Sequence, residues 1–192
     1  MLLCRDLISR NAACFPEKSA FIDGLTQRSW RQMDERSDRW VSMLQKLAVG
    51  KGDVVAILSY DRVELIEHFF ACMKLGAVRT GINWRYAARE MLHLIRDSDA
   101  QMILVQAPLV DLLAEHWVEL QEEGHRVIGF GGDHGLELDL ETLLALADTN
   151  PDLPPLSPTD RLALSYTTGT TGLPKGAIWT QEMLRESQTW SV

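Results

Sequence analysis

Short, wholly apolar runs alternate along the chain with longer stretches in which apolar residues return every third or fourth position. Residues 2–15 suit a short helix that Pro16 closes, because the residue before a proline is pushed out of the α region. SAFIDGLTQRSW then predicts two short extended pieces around Asp23-Gly24, a tight-turn pair. From Ser29, a candidate N-cap, Met33, Trp40, Val41, Leu44 and Leu47 recur at helical spacing up to Gly50, which predicts one long amphipathic helix. VVAILSY at 54–60 reads as a strand. Val63, Ile66, Phe69, Phe70 and Met73 trace the next helical face, with Gly76 as its C-cap. AVRTGI follows as a strand, 87–97 as a helix, QMILV as a strand, 109–121 as a helix, HRVIGF as a strand and 139–146 as a further helix.

From 54 to 130 the order is therefore βαβαβαβ, and strands joined by helices long enough to cross over are the signature of a parallel sheet covered on both faces. The fold class expected is α/β, a mostly parallel sheet flanked by helices. NPDLPPLSPTD at 150–160 carries four prolines and no periodicity, so it reads as a surface connection. It divides an N-terminal α/β region, 1–149, from 161–192, where RLALSYT resumes as a strand, AIW at 177–179 is its expected hairpin partner and a helix begins near Gln181. A fresh strand, loop and helix this close to Val192 predict the front part of a longer architecture. Apolar faces and a sheet edge left open in such a piece predict self-association into a homo-oligomer.

Charge narrows the field of functions. Acidic residues outnumber basic ones by 27 to 19, a formal net charge of −8, so the global field recruits neither nucleic acid nor an anionic membrane. The N-terminus MLLCRDLISRNAAC is interrupted by Arg5, Asp6 and Arg10, and no apolar run reaches the length of a signal segment or a membrane span, which predicts a cytoplasmic protein. Cys4, Cys14 and Cys72 are an odd set with no CxxC pair, as suits free thiols.

The densest chemistry lies in SYTTGTTGLPKG, residues 165–176. Glycines at 169, 172 and 176 let the backbone approach a ligand closely. The N–H groups and the hydroxyls of Thr167, Thr168, Thr170 and Thr171 are all donors for phosphate oxygens, and Lys175 adds a mobile positive charge. The order is not Walker A, which needs Gly, Lys and Ser or Thr in succession where this chain has Pro174, Lys175 and Gly176, and it is not GxGxxG. The competing reading is a polar hairpin loop whose threonines satisfy their own backbone; the density of hydroxyls around one lysine weighs against it.

TTGTTGLPKG at 167–176 resembles the signature loop of the AMP-forming adenylating enzymes, with Thr168 where serine is usual. The resemblance extends along most of the chain, through SWRQM at 29–33, GDVVAIL at 52–58 and FFACMKLGAV at 69–78, and NWRYAAREMLHLIRDSDAQMILV at 83–105 is similar to the acyl-CoA synthetase branch. Gly81 and Gln181 depart from the family, which commonly has proline and histidine there. The resemblance implies an incomplete N-terminal part of an adenylate-forming fold, in which Thr167, Thr168, Gly169, Thr170, Thr171, Gly172 and Lys175 wrap the β and γ phosphates of ATP. It implies ATP, Mg²⁺ and CoA for the parent protein, with a carboxylic acid as substrate. An acceptor other than CoA, such as a carrier protein, and a non-enzymatic interaction or regulatory role for the fragment are the alternatives. The family's adenine-, ribose- and acyl-binding segments and its C-terminal catalytic lysine fall beyond Val192, so no catalytic set is complete in this chain and the isolated 192 residues are expected to be inactive.

Other polar residues invite blander readings. His134 in GGDHGLELD lacks a metal-ligand spacing and reads as part of a solvated loop. His68, His93, His116 and His125 read as hydrogen-bonded structural histidines. Trp30, Trp40, Trp84 and Trp117 are expected in the core or an interface, and Arg79 and Arg85 beside acids.

Overall fold

A computed structural model describes residues 3–24, 26–167 and 172–189, the side chains of 188 and 189 excepted. Helix α1 (Cys4–Cys14) precedes an antiparallel pair, β1 (Ser19–Asp23) and β2 (Thr26–Ser29), and then α2 (Trp30–Lys46). Ser29 caps α2 as its sequence suggested: its hydroxyl accepts from Gln32 N at 3.3 Å, and Gln32 Oε1 accepts from Ser29 N at 2.9 Å, so two donors with no partner inside the helix are satisfied reciprocally. Strand β3 (Val54–Leu58), α3 (Val63–Leu75), β4 (Val78–Ile82), α4 (Ala88–Asp97) and β5 (Ala100–Gln106) follow in the expected alternation. Gly76 ends α3 with φ of 75°, a left-handed conformation that a glycine enters freely, and a Cβ there would also run into Leu156.

Periodicity misleads between 107 and 122. Instead of one helix over 109–121 the chain forms a 3₁₀ segment, Ala107–His116, broken at Leu113 (φ −129°), and a short α5 (Trp117–Glu122). The Trp117 indole donates to the Val110 carbonyl at 2.9 Å, a side-chain tie across the break at Leu113. Strands β6 (Arg126–Phe130) and β7 (Leu138–Asp139), helix α6 (Leu140–Ala145), the hairpin β8 (Arg161–Thr167) with β9 (Lys175–Thr180), and α7 (Gln181–Thr189) complete the order.

Seven strands form one sheet in the order β7-β6-β5-β3-β4-β8-β9, parallel except for the antiparallel β8–β9 pair. Trp40, Leu44, Ala71 and Leu75 from α2 and α3, with Leu140 and Leu144 from α6, cover Val55, Ile57, Leu104 and Ile128 on one face. Met91, Leu94 and Ile95 of α4, with Leu109 and Leu120, cover Ala56, Leu58, Ile103 and Val105 on the other. Because both faces are dry, β3 is buried at all five positions, which is why its sequence is a continuous apolar run rather than an alternating one.

The proline-rich stretch is tied to this body. Arg5 donates to Pro154 O at 2.7 Å, Gln45 to Asp152 O at 2.6 Å, and Lys51 to Pro155 O at 3.1 Å while also pairing with Asp160 at 2.7 Å. These ties deliver β8 to the edge of β4, where Thr80 Oγ1 donates to Leu164 O at 3.1 Å. Two buried ionic groups lock α2 to α3: Lys74 lies between Asp34 and Asp38, and Glu67 accepts from Arg36 at 2.7 Å and from the Trp40 indole at 3.3 Å. Among the described residues no helix is long and apolar enough to cross a membrane. Cys4 and Cys72 are buried, Cys14 is exposed, and all three are free.

Candidate phosphate-binding site

In a parallel α/β sheet, ligands gather outside the carboxyl ends of the strands. The stretch singled out in the sequence leaves β8 at that end. Thr167 is the last residue of β8 and pairs with Lys175, the first residue of β9; one step down, Tyr166 pairs with Gly176. The strand expected at 177–179 thus reaches back to Lys175 and makes that lysine part of the loop's stem. Paired residues of an antiparallel ladder share a face, so Thr167 and Lys175 lie on one side of the ribbon and Tyr166 and Gly176 on the other.

Thr167, Gly172 and Lys175 are all exposed. Lys175 makes no ion pair among the described residues, and a mobile ammonium at the mouth of a donor-rich loop is available to an anion. Thr168, Gly169, Thr170 and Thr171 lie outside the described residues. The described structure therefore brings three of the seven candidates, Thr167, Gly172 and Lys175, to one end of one hairpin.

Beside the stem runs α4. Its residues His93 and Asp97, four apart and so on one helical face, both reach the hairpin. His93 Nε2 lies 3.0 Å from Pro174 O; a carbonyl only accepts, so Nε2 carries the proton. Tyr166 donates its hydroxyl to Asp97 Oδ2 at 2.7 Å. Burial first, then the Asp97 carboxylate, push the Tyr166 phenol above its ordinary range and keep it a donor. A cavity of about 520 Å³ is lined by His93, Asp97 and residues 172–176. None of these α4 contacts was foreseen, although the four-residue spacing of His93 and Asp97 was a visible signal.

The remaining candidates fall out as follows. His68 is fully buried with Nε2 3.2 Å from Val55 O, and burial drives its pKa down to about 3, so it is a neutral core residue. His125 meets Ala100 O at 2.6 Å and His116 meets Glu119 at 3.3 Å. His134 is not solvated as expected: its side chain is 7% exposed, lies against Gly129, accepts from Leu136 N at 3.1 Å and meets Asp139 at 3.3 Å. Trp40 and Trp117 are in the core, and Trp30 stacks on Phe70. The arginines differ from expectation too. Arg85 lies over Trp84 and Arg79 over Phe69, and the Arg79 Nε is buried with no hydrogen-bond partner among the described residues.

Backbone donors outside the carboxyl end of a parallel strand occupy the position where α/β proteins commonly bind nucleotides and phosphates. The AMP-binding enzyme family model matches residues 8–191, and the chain belongs to that family. It is 28% identical over 188 residues to the long-chain-fatty-acid–CoA ligase FadD13 of Mycobacterium tuberculosis (strain ATCC 25618 / H37Rv), covering 96% of this chain and 36% of the relative. To the indoleacetate–CoA ligase of Aromatoleum aromaticum it is 30% identical over 178 residues, covering 92% and 34%. Among solved structures, the Mycobacterium tuberculosis fatty acyl CoA synthetase superposes with a TM-score of 0.85 at 26% identity, over 98% of this chain and 37% of that one. The chain spans about a third of the length of the curated relatives it matches.

Proposed function

We propose that this chain is the ATP-phosphate-holding part of an acid–CoA ligase, which joins a carboxylic acid to AMP with release of pyrophosphate and then passes the acyl group to CoA. The observation that carries the reading is the sequence TTGTTGLPKG, whose described residues Thr167, Gly172 and Lys175 stand at the carboxyl end of a parallel strand, with Lys175 exposed at the stem and without an ionic partner among the described residues. The names of the relatives, acid–CoA ligases with both aliphatic and aromatic substrates, favour CoA over a carrier protein as the acceptor.

In that reaction a carboxylate oxygen attacks the α-phosphorus and the bond to the bridging oxygen of pyrophosphate breaks. The barrier is one of charge: two anions approach, and a third leaves. Thr167, Thr168, Gly169, Thr170, Thr171, Gly172 and Lys175 answer it by donating to the β and γ phosphates, holding the leaving group in line and neutralising it as it departs. None of the seven is a proton-abstracting base. Mg²⁺ supplies further neutralisation of the triphosphate when bound. The described candidates Thr167, Gly172 and Lys175 are donors, which suits the anion, and among the described residues no three His, Cys, Asp or Glu side chains converge on a metal-sized site.

The test is acid-dependent exchange of labelled pyrophosphate into ATP by the complete enzyme that carries this chain, with short, long and aromatic acids. Exchange with at least one acid is expected. No exchange with any acid, from a folded protein, would refute the reading. Residues 1–192 alone are expected to give none.

A further inference from the structure

A loop rich in glycine and threonine binds well only if its ends are fixed, since every freely rotating donor must be ordered when the ligand arrives. The hairpin that bears this loop is poorly placed to fix them by itself. Strand β9 is the edge of the sheet and is exposed at five of six positions, so no layer of side chains clamps it from outside among the described residues.

What grips it is α4. The two polar contacts fall on the residue immediately before each member of the closing pair. Pro174 O, held by His93, precedes Lys175; Tyr166, held by Asp97, precedes Thr167. A third contact adds to these. The Tyr166 ring lies close under Gly176: a Cβ there would stand 3.0 Å from its Cζ, a contact so tight that ring or stem would have to give by a few tenths of an ångström. The platform is rigid, because Met91, Leu94 and Ile95 of the same helix are completely buried against the sheet.

We infer that His93 and the Asp97–Tyr166 pair are positioning residues for the triphosphate: from α4 they fix both sides of the stem and so set where Thr167 and Lys175 stand. This assignment rests on the phosphate-loop reading above. It predicts that loss of either tie weakens MgATP without touching the acid, a split that general destabilisation would not produce.

The experiment compares His93→Ala, Tyr166→Phe and Asp97→Ala with His93→Gln and Asp97→Asn in the complete enzyme, reading KM for MgATP and KM for the acid in pyrophosphate exchange. Each of the first three loses one hydrogen bond, and a rise of about three- to tenfold in KM for MgATP is expected, with KM for the acid unchanged. His93→Gln keeps an N–H donor and Asp97→Asn keeps an acceptor oxygen, and each recovers most of what the alanine variant loses. In parallel, amide hydrogen exchange at Gly172, Leu173, Lys175 and Gly176 in the 192-residue chain is expected to quicken about tenfold in Tyr166→Phe and His93→Ala, as a local opening made easier. Unchanged KM for MgATP in all variants would overturn the inference while leaving the ligase reading intact. If the parent enzyme shows no exchange at all, the ligase reading fails and takes the triphosphate role with it, whereas unaltered stem amides in an active enzyme would overturn the brace alone.

Discussion

Strands β3 and β9 belong to one sheet and are nearly equal in length, yet they are opposites. VVAIL is buried at every position, with Val55 and Ile57 under α2 and α3 and Ala56 and Leu58 under α4 and its neighbours. KGAIWT has five exposed positions and begins with the lysine that closes the donor-rich loop. The first strand is specified by what it removes from water, the second by where it puts one end. The buried strands leave the sheet edge as the place where backbone and side chains stay accessible to a ligand.

The contrast is sharpest for one residue type. Ile57, 1% exposed, and Ile178, 52% exposed, occupy the two strands. Ile57→Ala removes a side chain packed on every side and should cost about 2–5 kcal/mol in urea unfolding, which in a domain of this size is a large share of the total. A loss under about 1 kcal/mol would show that β3 is not the centre of the scaffold.

Next in size is an effect of pH on the scaffold face. His68 is held neutral by burial, helped by the nearby Arg79 charge and opposed by its hydrogen bond to the Val55 carbonyl, with a folded pKa of about 3. In the unfolded chain the same ring titrates near 6.5, so the unfolded state takes up the proton first as pH falls. The contribution is intact above about pH 6.5 and is lost progressively down to about pH 3, at roughly 1.4 kcal/mol per pH unit. His68→Gln should flatten the dependence of unfolding free energy on pH by that slope; parallel curves for the two proteins would contradict the assignment.

A smaller loss, about 1 kcal/mol, is expected for Ser29→Ala, which deletes the hydroxyl that satisfies Gln32 N at the start of α2. Thermal unfolding checks it, and Ser29→Asp, which keeps an acceptor, should be close to the parent. Smallest of all is Ile178→Ala. On the exposed ribbon it should change stability by no more than about 0.5 kcal/mol, and a cost comparable to that of Ile57→Ala would erase the distinction between the strands.

Legibility follows the same division. VVAIL could be read directly because burial on both faces leaves an unbroken apolar run. Gly76 and Ser29 could be read because their roles are local: a left-handed φ in one case and a hydroxyl three residues from its donor in the other. The segment 107–122 could not, since its apolar spacing is helical and records neither the break at Leu113 nor the Trp117–Val110 contact across it. At the candidate site, the donors of 167–176 were plain from composition and resemblance. The α4 contacts were hidden because His93 meets Pro174 across 81 residues and Asp97 meets Tyr166 across 69, and such pairs acquire meaning only after the hairpin is laid beside the helix. Arg79 misled for a related reason: a charged residue on a strand invites an ionic partner, whereas here it lies over the Phe69 ring.

The central claim is that the exposed ribbon carries the chemistry and the buried strands carry the stability, and Lys175→Ala in the complete enzyme addresses both halves at once. Lys175 is exposed and has no ionic partner among the described residues, so its removal should leave the unfolding midpoint unchanged. The rate of acid-dependent pyrophosphate exchange should fall by about a hundred- to a thousandfold, the loss of roughly 2–4 kcal/mol of stabilisation for the departing pyrophosphate. Exchange within about threefold of the parent, from a protein equally well folded, would contradict the account.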